Sequence, residues 1–162
     1  MVKSFIKMAK KHRLENEIYY GEKTVSFTLC IKNRKETFIN DGIFEIFSNI
    51  LLNTIKDFNN HAVIYLFMPD HAHLILQGNT STSDVITSVN LFKQKTGFWF
   101  YENMKNTRWQ KDYFDHIIRN EEDLKNQIYY ILNNPVRSGI VENWKEYKYR
   151  GSTLFNFDEW IL

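Results

Sequence analysis

From Thr24 to Lys32 apolar and polar side chains alternate, with Val25, Phe27, Leu29 and Ile31 on one side. That period of two, rich in β-branched and aromatic types, predicts a half-buried strand. Asn40-Asp41-Gly42 breaks the chain. Beyond it Ile43, Phe44, Phe47, Ile50, Leu51, Ile55 and Phe58 recur at helical spacing, and Asn59-Asn60 closes the predicted helix. Ala62 to Phe67 is apolar without interruption, the pattern of a central strand covered on both faces. Met68-Pro69-Asp70 makes a turn, and His71 to Gln77 alternates again. Ala72, Leu74 and Leu76 share one face; His71, His73, Ile75 and Gln77 share the other. Residues 62–77 therefore read as a hairpin. Thr80 to Asp84 supplies helix N-caps, and Val85, Val89, Phe92 and Thr96 mark a second helix expected to break at Gly97. A short strand is expected near 113–118. Asn120-Glu121-Glu122 opens a third helix with acids where the dipole favours them. Leu124, Ile128 and Ile131 form its apolar stripe, and it ends before Pro135, whose preceding residue disfavours the α region.

The order β-α-β-β-α-β, then a helix and a tail, is that of a ferredoxin-like split βαβ unit. This predicts an α+β fold with one antiparallel sheet, helices on one face and a further C-terminal helix. At 162 residues the chain is read as a single domain over 1–162, with no repeat, low-complexity tract or linker. A lone Cys30 excludes a disulfide framework or a multi-cysteine zinc site and fits a reducing cytoplasm. The longest apolar run, Ala62 to Met68, falls far short of the roughly 18 residues of a membrane span. The N-terminus carries charges but no apolar h-region, so no signal peptide is expected.

The net charge of +2 changes meaning once divided. Residues 1–13 hold Lys3, Lys7, Lys10, Lys11 and Arg13 and no acid. The rest carries 16 basic against 19 acidic residues, a net of −3. A basic arm on a near-neutral body suits contact with phosphates, though such arms are as often simply solvated.

The candidate chemistry starts at His71-Ala72-His73. On a strand, residues i and i+2 point to one face, about 7 Å apart along the chain. Two imidazoles so placed can converge on a metal ion on an open face of the sheet; they can equally be two polar residues on a solvated face. On the third helix Tyr130 and Asn134 lie one turn apart, with Gln127 on the same flank as a possible accessory group. A metal held by two imidazoles and an amide oxygen keeps open positions and can polarise a phosphodiester. A tyrosine oxygen can act as nucleophile. The alternative for Tyr130 is an ordinary boundary tyrosine with a buried ring and a wet hydroxyl. There is no Gly-x-Ser-x-Gly and no phosphate-binding glycine loop.

Four segments carry a resemblance: Met68-Pro69-Asp70-His71-Ala72-His73-Leu74; Arg108-Trp109-Gln110-Lys111-Asp112-Tyr113-Phe114-Asp115-His116; Ile118-Arg119-Asn120-Glu121-Glu122-Asp123-Leu124; and Tyr130 through Asn133-Asn134-Pro135-Val136-Arg137-Ser138-Gly139. They are similar to the HUH endonuclease superfamily. Within it they resemble the single-tyrosine transposases of the insertion-sequence-200-like family, nearest the REP-associated tyrosine transposase branch. The likeness spans roughly residues 18–155.

The resemblance implies that His71 and His73, with Asn134 in the third ligand position, bind Mg²⁺ or Mn²⁺. It implies that Tyr130 attacks a phosphate in single-stranded DNA beside an imperfect hairpin, leaving a 5′-phosphotyrosine and a free 3′-OH. The protein would then act as a monomer or a homodimer in the cytoplasm. Candidate DNA contacts are the arm (Lys3, Lys7, Lys10, Lys11, Arg13), Lys93, Lys95, Arg119 and Arg137, with Trp99 and Trp109 as base-stacking rings. Two rival readings stand beside this one. One is a relative that grips hairpin DNA without cutting it. The other is an unrelated two-histidine metallohydrolase, for which Leu74-Ile75-Leu76 offers no further ligands.

Overall fold

The computed structural model describes residues 16–161. The arm residues Lys3, Lys7, Lys10, Lys11 and Arg13 lie outside the described residues.

The four expected strands become β1 (Thr24–Cys30), β2 (Asn60–Met68), β3 (His71–Gly78) and β4 (Phe114–Ile117). A two-residue strand, β5 (Arg150–Gly151), which the sequence pattern does not predict, pairs with β2. All pairings are antiparallel, and the sheet order is β4-β1-β3-β2-β5. The first four strands thus take the ferredoxin-like arrangement.

Each main helix starts on a side-chain cap. Asn40 accepts from the Ile43 amide at α1 (Asp41–Asp57), Asp84 from Thr87 at α2 (Val85–Asn103), and Asn120 from Asp123 at α3 (Glu121–Leu132). A short α4 (Asn134–Arg137) follows with Pro135 in its first turn, where a missing amide hydrogen costs nothing. Gly97 does not end α2, contrary to the sequence expectation. An interior glycine costs only about 1 kcal/mol, and Thr96 and Phe100, one turn apart and both buried, hold the helix to the core.

Two cores flank the sheet. On one face Val25, Phe27, Leu29, Ala72, Leu74 and Leu76 pack against Phe47, Leu51 and Ile55 of α1 and Val89, Phe92 and Phe100 of α2. On the other, Leu66, Met68 and Ile75 meet Ile128, Ile131 and Leu132 of α3 together with Trp144, Tyr147 and Phe157. The face bearing the two histidines is therefore covered, contrary to the open face that the sequence leads one to expect. The apolar stripe of α3 needs a surface to bury, and this is the sheet face that α1 and α2 leave free. The tight turn before β3 is clamped from outside: Ile31 N donates to Asp70 O (2.9 Å), and Thr37 N and Phe38 N both donate to Pro69 O.

Candidate active site

His73 sits on the central strand β3, opposite Thr28 of β1 and Leu66 of β2; His71 stands opposite Cys30 and Met68. Their side chains lean together, with ring centroids 4.8 Å apart at 89° and Nε2–Nε2 at 3.1 Å. Asn134, buried at the start of α4, brings its amide Nδ2 to 2.6 Å from His73 Nε2 and 3.4 Å from His71 Nε2. Its Oδ1 accepts from Ser138 Oγ at 3.3 Å. A half-turn about the Cβ–Cγ bond exchanges the two amide atoms and aims the oxygen at the pair.

The far nitrogens of both rings are held as well. Asp70 Oδ1 lies 2.6 Å from His71 Nδ1, and Arg34 Nε donates to Asp70 Oδ2 at 2.8 Å. An ionised carboxylate only accepts, so His71 carries its proton on Nδ1 and presents a lone pair from Nε2. Thr28 Oγ1 lies 3.1 Å from His73 Nδ1. A hydroxyl both donates and accepts, so it serves either tautomer of His73. Burial pushes the His73 pKa down to about 3, with neighbouring His71 adding to the effect. Burial also lowers that of His71, only partly offset by Asp70. Asp70 itself is held below the usual carboxylate range, its burial outweighed by the bonds and charges of His71 and Arg34. Both imidazoles are neutral at pH 7, the form that ligates metals.

The donor set fits a cation. Two imidazole nitrogens 3.1 Å apart face the Asn134 amide, whose oxygen would supply a third lone pair after the half-turn. Among the described residues no group of three His, Cys, Asp or Glu side chains could hold a metal. The Asn134 amide, the residue that the resemblance implies as third ligand, is the further polar group that the structure brings to the imidazole pair.

Tyr130, on the last full turn of α3, borders this cluster. Its ring centroid is 6.3 Å from that of His73 at 85°, and the residue is 53% exposed. The Arg137 guanidinium lies 3.7 Å from the Tyr130 ring centroid, and its Nη1 donates to the Tyr130 carbonyl at 3.3 Å. Tyr129 is equally exposed but makes no ring contact with either histidine among the described residues. Gln127 is half-buried and stands outside the hydrogen-bonded cluster.

The remaining DNA candidates scatter. Arg119 is exposed beside the α3 N-terminus, and Lys95 reaches Thr54 Oγ1 at 3.3 Å. Lys93 donates to the carbonyls of Gln110 and Lys111 (2.8 and 3.1 Å), tethering that loop to α2. Trp109 corrects the sequence reading. It is buried among Phe38, Phe47, Phe92 and Phe100, and its indole N–H donates to Thr96 Oγ1 at 2.8 Å, so it is a core residue rather than an exposed stacking platform. Trp99 is half-buried edge-on against Phe47. Sequence reasoning passes over Asp70, Thr28 and Arg34. Asp70 was discoverable as the neighbour of His71; Thr28 meets His73 only through the strand register.

Comparison with known proteins bears on this geometry. The family model described as transposase IS200-like matches residues 21–134, from just before β1 to Asn134, and so takes in both histidines and Tyr130. A Haemophilus influenzae protein assigned as a REP-associated tyrosine transposase is 29% identical over 136 residues, covering 76% of each chain. The REP-associated tyrosine transposase of Escherichia coli K12 is 23% identical over 123 residues, covering 76% of this chain and 72% of its own. The solved structure of a REP-associated tyrosine transposase bound to a REP hairpin superposes with a TM-score of 0.71. It is 23% identical and covers 82% of this chain and 78% of that one, a likeness of fold. With most of its length inside that family match, the chain belongs to the IS200-like transposases, a class of enzymes that cut and join DNA.

Proposed function

We propose that this protein is a divalent-metal-dependent strand transferase that cuts and rejoins single-stranded DNA beside hairpins, with Tyr130 as nucleophile. The observation that carries the reading is the convergence of His71 Nε2, His73 Nε2 and the Asn134 amide next to the Tyr130 ring. His71, His73 and Asn134 would hold Mg²⁺ or Mn²⁺, and the two nitrogen donors favour Mn²⁺ over the harder Mg²⁺. Bound there, the ion would polarise the scissile phosphate and offset the charge that builds on it.

The chain's own groups do the rest. The Tyr130 oxygen attacks phosphorus, and its proton passes to the solvent that reaches this exposed residue. The bond from phosphorus to the 3′ oxygen breaks, that oxygen takes a proton from water, and a 5′-phosphotyrosine forms. Attack by a 3′-OH on that phosphorus joins the strands and frees Tyr130. Arg137 limits rotation of the Tyr130 ring and sets a fixed positive charge where the phosphate has to lie. Asp70 and Thr28 orient the two imidazoles. The partner favoured by the relatives is hairpin-bearing DNA, since the superposed structure holds a REP hairpin.

The test is a denaturing gel of the protein with single-stranded hairpin DNA from its own gene's flanks, with and without Mn²⁺. A protein–DNA adduct that needs metal and disappears in Tyr130→Phe, with hairpin binding retained, is expected. Undiminished cleavage by Tyr130→Phe would remove the nucleophile from the scheme. Hairpin binding without any adduct from either flank would favour a relative that grips DNA and does not cut.

A further inference from the structure

Two surface concavities, of about 510 and 770 Å³, adjoin along the outer side of α2 and share Gly97 and Arg108 in their walls. Lys32, Lys105, Arg108 and Lys111 line them, all exposed, and among the described residues no carboxylate does. This is notable on a chain that is net acidic outside its arm. A large aromatic stands at the rim: Tyr101, one turn beyond Gly97, is 83% exposed. Exposed cations interleaved with an exposed ring are what an unpaired nucleic-acid strand needs: charge for phosphates and a platform for bases.

Gly97 is the second observation. It sits inside a 19-residue helix, where glycine is unfavourable. Packing does not require it, because a side chain there would meet nothing within 4 Å. Its φ is not positive either. Gly97 lines both concavities, and its missing side chain leaves open the space at their shared wall.

The groove also has an address. Lys32 N donates to Arg108 O (2.8 Å), Gln110 N to Cys30 O (2.7 Å) and Ile31 N to Asp70 O (2.9 Å). Cys30 stands opposite His71 in the sheet. The groove wall is therefore bonded to the strand end that carries the histidine pair.

We propose that this groove is a second, sequence-tolerant site for single-stranded DNA, receiving the strand that runs on from the catalytic centre. The inference rests on the strand-transferase reading above. The probe is a fluorescein-labelled dT12 oligonucleotide, followed by anisotropy across a salt series, with a blunt hairpin from the gene's flank as the companion ligand. In the triple variant Lys32→Gln, Lys105→Gln, Arg108→Gln the log–log salt slope for dT12 should flatten by about 2, at about 0.7 per lost phosphate contact. Tyr101→Ala should weaken dT12 binding about tenfold, within the range for one stacked base. Gly97→Leu should fill the joint between the concavities. It should raise the melting temperature through better helix propensity, yet weaken dT12 binding at least tenfold; a merely structural glycine would not separate these two readouts. Blunt-hairpin affinity should stay within twofold in all three variants. If dT12 affinity and salt slope match the unmodified protein in all three variants, the groove is not a strand site, even if the hairpin binds. If neither ligand binds the unmodified protein, it is the strand-transferase reading itself that fails.

Discussion

Thr28→Val tests the metal-site geometry with little change of shape. Valine keeps the branched volume and removes the hydroxyl that lies 3.1 Å from His73 Nδ1. Without metal, His73 can carry its proton on Nε2 and donate it to the lone pair of His71 Nε2, 3.1 Å away. The loss then leaves only an unmet acceptor at Nδ1. With metal, Nε2 must be bare, so the proton moves to Nδ1 and points at valine. A buried N–H donor without a partner costs about 1–3 kcal/mol, and His73 is only 6% exposed. The penalty falls mainly on the metal-bound form, so Mn²⁺ affinity should drop about 10–100-fold, the range typical of a lost partner to a ligating histidine. Calorimetric titration of the purified protein with Mn²⁺ measures it directly, and Thr28→Ser should restore most of the loss. A Thr28→Val dissociation constant within twofold of the unmodified protein would refute both the tautomer argument and the role of His73 Nε2.

Three further outcomes are expected. Trp109→Ala should lower stability to urea by about 3–5 kcal/mol, as for a buried tryptophan surrounded by four rings; unchanged stability with lost DNA binding would return Trp109 to a base-stacking role. The pKa of His73 is depressed to about 3 against 6.5 when unfolded, so the unfolded chain binds the extra proton between those values. Stability of the metal-free protein should therefore be full above pH 6.5 and fall as pH drops toward 3, and His73→Gln should flatten that limb; an identical slope in the variant would contradict the burial argument. Removing residues 1–13, which hold five basic side chains, should weaken hairpin binding and reduce its salt slope; an unaltered slope would make the arm a solvated terminus.

Much of the scaffold was readable from local pattern, because strand alternation, capping residues and proline act over a few residues. The period of two in 71–77 placed His71, His73 and Ile75 on one face, and Ile75 indeed packs under α3. Helical spacing put Tyr130 and Asn134 within one turn, and both border the histidine pair. Tertiary structure alone decided the rest, since it depends on which surfaces meet. The sheet face carrying the histidines is covered rather than open, because α3 buries its stripe there. Residues 45 positions apart, Thr28 and His73, touch only through strand register. Trp109 is core because its loop folds back onto Phe38 and Phe100. Gly97, a helix breaker by local propensity, is overruled by the burial of Thr96 and Phe100 on either side of it. By itself, then, the sequence determined the four main strands, the helix starts and the reactive residue types; long-range burial carried the second helix past Gly97, added β5 and determined which of those residues share a site.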